Sequence, residues 1–156
     1  MYVKTICFAN TYIVSPMGMP FASLRAMKEV MKAFSVLIVD DHRLTRETLA
    51  ESVVDMGGEA VLAGRGLEAL RIMEHSPCRL LVSDVDMPDI TGFELVRRIH
   101  DHKWYPVVML MSARFDSERR LAARELGISD LIEKPVSLPI FTQTLQRIRQ
   151  HFLQTN

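Results

Sequence analysis

Cysteine is nearly absent. Two residues, Cys7 and Cys78, make neither a disulfide framework nor a metal-ligand cluster, so the chain reads as a reduced, cytoplasmic protein. Net charge is lacking too. Nineteen basic residues balance nineteen acidic ones, so no long-range field draws the chain to nucleic acid or to anionic lipid. No uncharged apolar run reaches the roughly 18 residues that a membrane span requires. What is present is 156 residues, 48% of them hydrophobic, enough for one globular domain with a short appendage. The ten methionines suit irregular gaps in a core better than a copper or redox device.

From Ser35 onward, short apolar runs alternate with helical periodicity. "SVLIV" (35–39) is β-branched and apolar throughout, as expected of a strand covered on both faces. Leu49, Val53 and Met56 follow at helical spacing, closed by Gly57-Gly58. "EAVLA" (59–63) reads as a second strand, and 66–75 as a helix with Leu67, Leu70 and Met73 on one side. "RLLVS" (79–83) and "PVVMLMS" (106–112) read as the third and fourth strands, with a helix over 92–101 between them. A helix over 116–126 ends at Gly127, and "SDLIE" (129–133) is a fifth, weaker strand. The last helix, roughly 138–153, carries Phe141, Leu145, Ile148 and Phe152 along one stripe.

Strands alternating with helices imply parallel β-α-β units and right-handed crossovers, an α/β fold. Chemistry in such sheets collects beyond the carboxyl ends of the strands. Asp40 and Asp41 follow the first strand, Asp84 and Asp86 the third, Ser112 ends the fourth, and Lys134-Pro135 follows the fifth. Three carboxylates in one small space raise one another's proton affinity. A divalent cation such as Mg2+ or Mn2+ resolves that conflict, because Mg2+ favours carboxylates, waters and phosphate oxygens. With Lys134 beside it, such a site neutralises an incoming phosphoryl group, and a carboxylate is a reasonable acceptor. Asp84, ending the most apolar strand, is the most rigidly held candidate. His42, next to the acidic pair, reads as the opening of the first helix rather than as a metal ligand.

"LIVDDH", "DVDMPDITG", "MLMSA" and "EKP", in this order and spacing, resemble the receiver domain of bacterial two-component response regulators over about residues 35–153. The resemblance implies a flavodoxin-like, doubly wound sheet of strand order 2-1-3-4-5 with five helices. It implies Asp84 as phosphoacceptor, Asp40 and Asp41 as the magnesium-supporting acids, and Asp84 itself and the Asp86 backbone carbonyl as further metal ligands. Ser112 matches the switch hydroxyl, with Ala113 beside it on the rim, and Lys134 matches the family's lysine. Pro135 would follow a cis peptide bond. A histidine kinase or phosphotransfer protein would be the donor. The output would be a changed surface on the fourth helix, fifth strand and fifth helix, for an unknown protein target or a second copy of the chain.

Two departures stand out. Leu131 occupies the place where the family usually has Tyr or Phe, and an isobutyl group lacks the ring's area and hydroxyl. Asp86 adds a side-chain carboxylate at the rim, and Arg114 lies on the facing loop. An Asp86–Arg114 pair across the mouth is the expectation, with gating of hydrolytic water as its consequence. A phosphate sink and an unphosphorylated pseudo-receiver remain as alternatives within signalling. A haloacid-dehalogenase-type phosphatase shares the Asp-x-Asp stretch, but its acidic pair comes after the lysine. Residues 1–34 stand outside the alternation. They are expected to be a disordered extension, a short helix over 23–34, or a gene-start artefact preceding Met27 or Met31. Residues 154–156 form a tail, so the chain reads as a single-domain regulator, not an enzyme beyond its own phosphorylation and hydrolysis.

Overall fold

A computed structural model describes residues 34–154 of the chain. The expected extension, including a helix beginning at residue 23, and the last two residues lie outside the described residues. Phe34, assigned to the extension by its position before the first strand, is instead buried against the domain, its ring centroid 6.5 Å from that of Phe152.

The elements run β1 (Ser35–Val39), α1 (Arg43–Asp55), β2 (Glu59–Ala63), α2 (Gly66–His75), β3 (Leu80–Asp84), α3 (Gly92–Asp101), β4 (Val107–Ser112), α4 (Ser117–Glu125), β5 (Asp130–Glu133) and α5 (Leu138–Gln154). The five strands form one sheet in the order β2-β1-β3-β4-β5, and every neighbouring pair is parallel. This is the doubly wound arrangement that the resemblance implies, built from the parallel units expected from the alternation, with five helices among the described residues. Strand β3 ends one residue later than its apolar run suggests, because Asp84 pairs in register with Met111. None of the described helices is long and apolar enough to cross a membrane.

Alternate residues of each strand feed two separate cores, which is why the central strands are apolar without interruption. Leu37, Val39, Leu81 and Leu110 pack beneath α2, α3 and α4 with Ala69, Met73, Leu95, Val96 and Ile99. Val36, Ile38, Leu80, Val82, Met109 and Met111 face α1 and α5, where Leu49, Val53, Phe141, Leu145 and Ile148 meet them. Leu67 does not join its expected stripe. It is 40% exposed, whereas Gly66, Ala69 and Met73 are the buried positions of α2. Gly66 packs so tightly under Ile90 and Met87 that it sets the helix rotation and turns Leu67 outward.

Helices α1 and α4 stop in the same way. Gly57 (φ 75°) and Gly127 (φ 72°) adopt left-handed backbone, and paired bonds close each end: Gly57 N–H to Val54 O with Gly58 N–H to Val53 O, and Gly127 N–H to Arg124 O with Ile128 N–H to Ala123 O. Lys103 (φ 60°) does this job after α3 without glycine's freedom. Cys78 is buried, and burial pushes its thiol up to about 11, so it holds no thiolate at neutral pH.

Candidate functional site

Parallel register brings the strand ends level. Val39 pairs with Ser83, Asp84 with Met111, and Ser112 with Glu133, so Asp40, Asp84, Ser112 and Lys134 emerge along one edge. Asp40 is fully buried and Asp84 only 3% exposed. The Lys134 ammonium lies between them, with Nζ 2.6 Å from Asp84 Oδ2 and 2.7 Å from Asp40 Oδ2. The Lys134–Pro135 peptide bond is cis. Asp84 Oδ1 accepts the Asp86 backbone N–H at 3.1 Å, and Asp40 Oδ1 accepts that of His42 at 2.8 Å. Asp40 Oδ2 has no partner besides the Lys134 ammonium among the described residues.

Burial raises the pKa of Asp84, helped by the Asp40 charge, and the pull of Lys134 does not cancel this. Burial acts against the Lys134 ammonium as well. Asp40 and Asp84 outweigh it and hold Lys134 above the usual lysine value. The two directions are consistent, since one ammonium serves two carboxylates and cannot fully satisfy either. Asp41 is exposed at the mouth, its Oδ1 2.7 Å from His42 Nδ1. Asp40, Asp41 and His42 can bring one ligand atom each within 4.8 Å of one another. His42 is the residue that starts α1, as its position suggested.

The β3–α3 loop carries the acceptor candidate. Gly92 opens α3 so close under this loop that an added Cβ would sit 3.0 Å from Val85 Cα and nearer still to the Asp84 carbonyl oxygen. Thr91 caps the helix by accepting the Glu94 N–H at 3.2 Å. Asp89 reaches across to the start of α2, accepting the N–H groups of Gly66 at 3.1 Å and Leu67 at 2.9 Å. Burial pushes the Asp89 pKa upward, but the backbone N–H groups of Leu67, Ile90 and Gly66 win and leave it lowered.

The rim differs from expectation in one respect. Asp86 does not pair with Arg114. Its partner is Arg119, whose Nη2 and Nη1 lie 2.8 Å from Asp86 Oδ1 and Oδ2 respectively. The reason is helix geometry. Arg119 is the third residue of α4, and helical side chains lean toward the N-terminus, so its guanidinium reaches back over the loop. Arg114 belongs to that loop, is exposed with Ala113, and contributes its carbonyl and N–H to Ser112 Oγ at 3.0 and 3.3 Å. The hydrogen bond and charge of Arg119 lower the Asp86 pKa. Sequence reasoning missed Arg119, although Asp116 three residues earlier is a legible helix cap and placed it in the first turn. Leu131 is half-buried and packs beneath the α2–α4 side of the sheet.

The site holds three carboxylates and one ammonium, a surplus of two negative charges that a divalent cation would match. Buried Asp40 Oδ2 shares its one cationic partner, Lys134, with Asp84 and keeps acceptor capacity to spare, so the all-oxygen donor set fits Mg2+ or Mn2+.

Comparison with known proteins agrees with this geometry. Residues 36–146 match the family model of the response regulator receiver domain. Over 119 residues the chain is 30% identical to the sensor histidine kinase RcsC of Salmonella typhimurium, covering 74% of this chain but only 13% of that protein. It is 33% identical over 111 residues to an uncharacterized 14.6 kDa protein of Leptolyngbya boryana, covering 69% of this chain and 84% of that one. Among solved structures, the Vibrio cholerae chemotaxis protein CheY4 superposes with a TM-score of 0.69 at 28% identity, over 73% of this chain and 97% of its own. A parallel 2-1-3-4-5 sheet, acids and a lysine at its carboxyl edge, and a family match across most of the described residues place this chain in the response regulator receiver domain family.

Proposed function

We propose that this domain accepts a phosphoryl group on Asp84 from a histidine kinase or histidine phosphotransfer protein and passes the change to a partner-binding surface. The observation that carries the reading is the Lys134 ammonium lodged between Asp84 Oδ2 and Asp40 Oδ2. A cation already held against the acceptor oxygen neutralises charge where the phosphoryl oxygens gather. Asp40, Asp41 and the Asp86 carbonyl are the groups that would hold Mg2+ or Mn2+, which supplies the remaining positive charge when bound.

An Asp84 carboxylate oxygen forms the new P–O bond while the P–N bond to the donor imidazole breaks, and the ring nitrogen leaves with the electron pair. Both Asp84 oxygens are engaged beforehand, Oδ2 by Lys134 and Oδ1 by the Asp86 N–H, so the attacking group is oriented before the donor arrives. The product carries about −1.5 to −2 charge and three acceptor oxygens. Lys134 and the Ser112 hydroxyl then become its donors. Ser112 ends β4, so its movement bears on the loop that leads into α4, and on the face of α4, β5 and α5.

Incubation with Mg2+ and acetyl phosphate tests the reading by intact mass. The native chain gains one phosphate and Asp84→Asn gains none. Equal gain in both, or none in either, refutes it.

A further inference from the structure

One guanidinium ties together the three segments that border the acidic site. Arg119 is anchored in the first turn of α4, where its backbone N–H donates to Asp116 Oδ1 at 2.9 Å. Its two terminal nitrogens grip the two oxygens of Asp86 on the β3–α3 loop, each at 2.8 Å. Nη1 also donates to Ser112 Oγ at the end of β4. Ser112 is fully buried, and its single hydroxyl proton has the Arg114 carbonyl at 3.0 Å and Asp86 Oδ2 at 3.3 Å as acceptors. Among the described residues, no hydrogen bond joins Ser112 Oγ to Asp84. The hydroxyl is therefore turned to the rim and away from the acceptor it would have to serve.

We propose that Arg119 is a positioning residue that holds Ser112 in this rim-facing orientation, and so restrains phosphoryl transfer to Asp84 until the Arg119–Asp86 pair opens. The proposal rests on the phosphoacceptor reading above. A hydroxyl has one proton to donate, so Ser112 cannot bond the rim and a phosphoryl oxygen together. Arginine suits the restraint because its planar fork satisfies both Asp86 oxygens while one nitrogen still reaches Ser112. A phosphoryl group on Asp84 adds negative charge two residues from Asp86. That charge repels the Asp86 carboxylate and competes for Arg119, so the restraint loosens as the product forms. Arg119 joins the β3–α3 loop, β4 and α4, and its release frees the start of α4 to move. The opposite role, a cation that draws the donor in, predicts the opposite sign in the following experiment.

Phosphorylation rates with acetyl phosphate and Mg2+ are compared for the full native chain, Arg119→Ala, Arg119→Lys, Asp86→Ala and the Asp86→Ala/Arg119→Ala double variant. Restraint predicts that both Arg119 variants are faster, by about two- to fivefold, the bias an exposed ion pair can exert. The double variant should be no faster than either single one, because both remove the same contact. Unchanged rates, or a slower Arg119→Ala rescued by Arg119→Lys, overturn the proposal. Asp86→Ala keeps α4 intact and guards against a folding artefact at Arg119. Amide hydrogen exchange over 112–117 in the unphosphorylated chain gives a readout independent of chemistry. Both Arg119 variants should exchange faster there, and unchanged protection refutes the positioning role. If the native chain gains no phosphate, the phosphoacceptor reading fails, and the exchange result alone decides whether Arg119 positions Ser112.

Discussion

Replacing Lys134 with methionine removes the one ammonium shared by two buried carboxylates while keeping most of the side chain's volume. Asp40 and Asp84 are then left facing each other through space that Nζ occupied, 2.7 and 2.6 Å from their Oδ2 atoms. Two unit charges about 5 Å apart repel by about 3 kcal/mol at an effective dielectric of about 20. Breaking a buried pair by removing one partner costs about 3–5 kcal/mol by mutational precedent. Lys134 keeps 21% of its side chain exposed, so solvent relieves part of the repulsion and the lower end applies. The expected loss is about 3 kcal/mol at pH 7 without divalent ions.

Urea denaturation in EDTA measures this loss. Without Lys134, the folded pKa of Asp84, already raised by burial, rises further above its unfolded value. The penalty is then present at neutral pH and fades as pH falls toward the unfolded carboxylate value near 4, where both states are protonated. Added Mg2+ should recover part of the loss, and Asp84→Asn in the same background should recover most of it. A loss below about 1 kcal/mol, equal with and without Mg2+, is the scale of a surface pair. That result would refute the claim that the ammonium holds this acidic cluster together.

Gly92→Ala pushes a methyl group into the Asp84 carbonyl and Val85 Cα, so a loss of about 1–3 kcal/mol is expected by thermal melting, with slower phosphorylation as the loop shifts. Asp86 and Asp89 have lowered folded pKa values, so the stability they contribute is complete above the unfolded value of about 4 and disappears as pH falls below it. Asp89→Asn should therefore lower Tm at pH 6 and converge on the native Tm near pH 2–3, and a constant difference across that range would contradict the assignment. Lys103→Gly relieves left-handed backbone at φ 60° and should raise stability by about 0.5–1 kcal/mol in urea titrations. No gain there would mean that Lys103 contributes a contact that offsets its strain.

Strands β1, β3 and β4 were readable because a strand covered on both faces has to be apolar at every position, and Val36 to Val39, Leu80 to Val82 and Val108 to Met111 are. The acids, hydroxyl and lysine were readable because parallel strands all end on one edge, so residues far apart in sequence must share it. Fine placement was another matter. Leu67 fitted a helical stripe, yet a contact between Gly66 and Ile90, distant in sequence, set which side of α2 faces inward. Asp86 had two arginines within reach of any reasonable loop path. Arg114 was nearer along the chain, and only the rotation of α4 about its Asp116 cap delivered Arg119 instead.

Local pattern was thus sufficient for element types, their order, the parallel sheet and the inventory of chemical groups at its edge, since each depends on short-range periodicity or on topology alone. Which oxygen Lys134 touches, which guanidinium grips Asp86, and which way Ser112 turns depend on distances of a few tenths of an ångström between segments that do not neighbour one another in the chain. Those distances are set by packing across two cores, and no single segment encodes them.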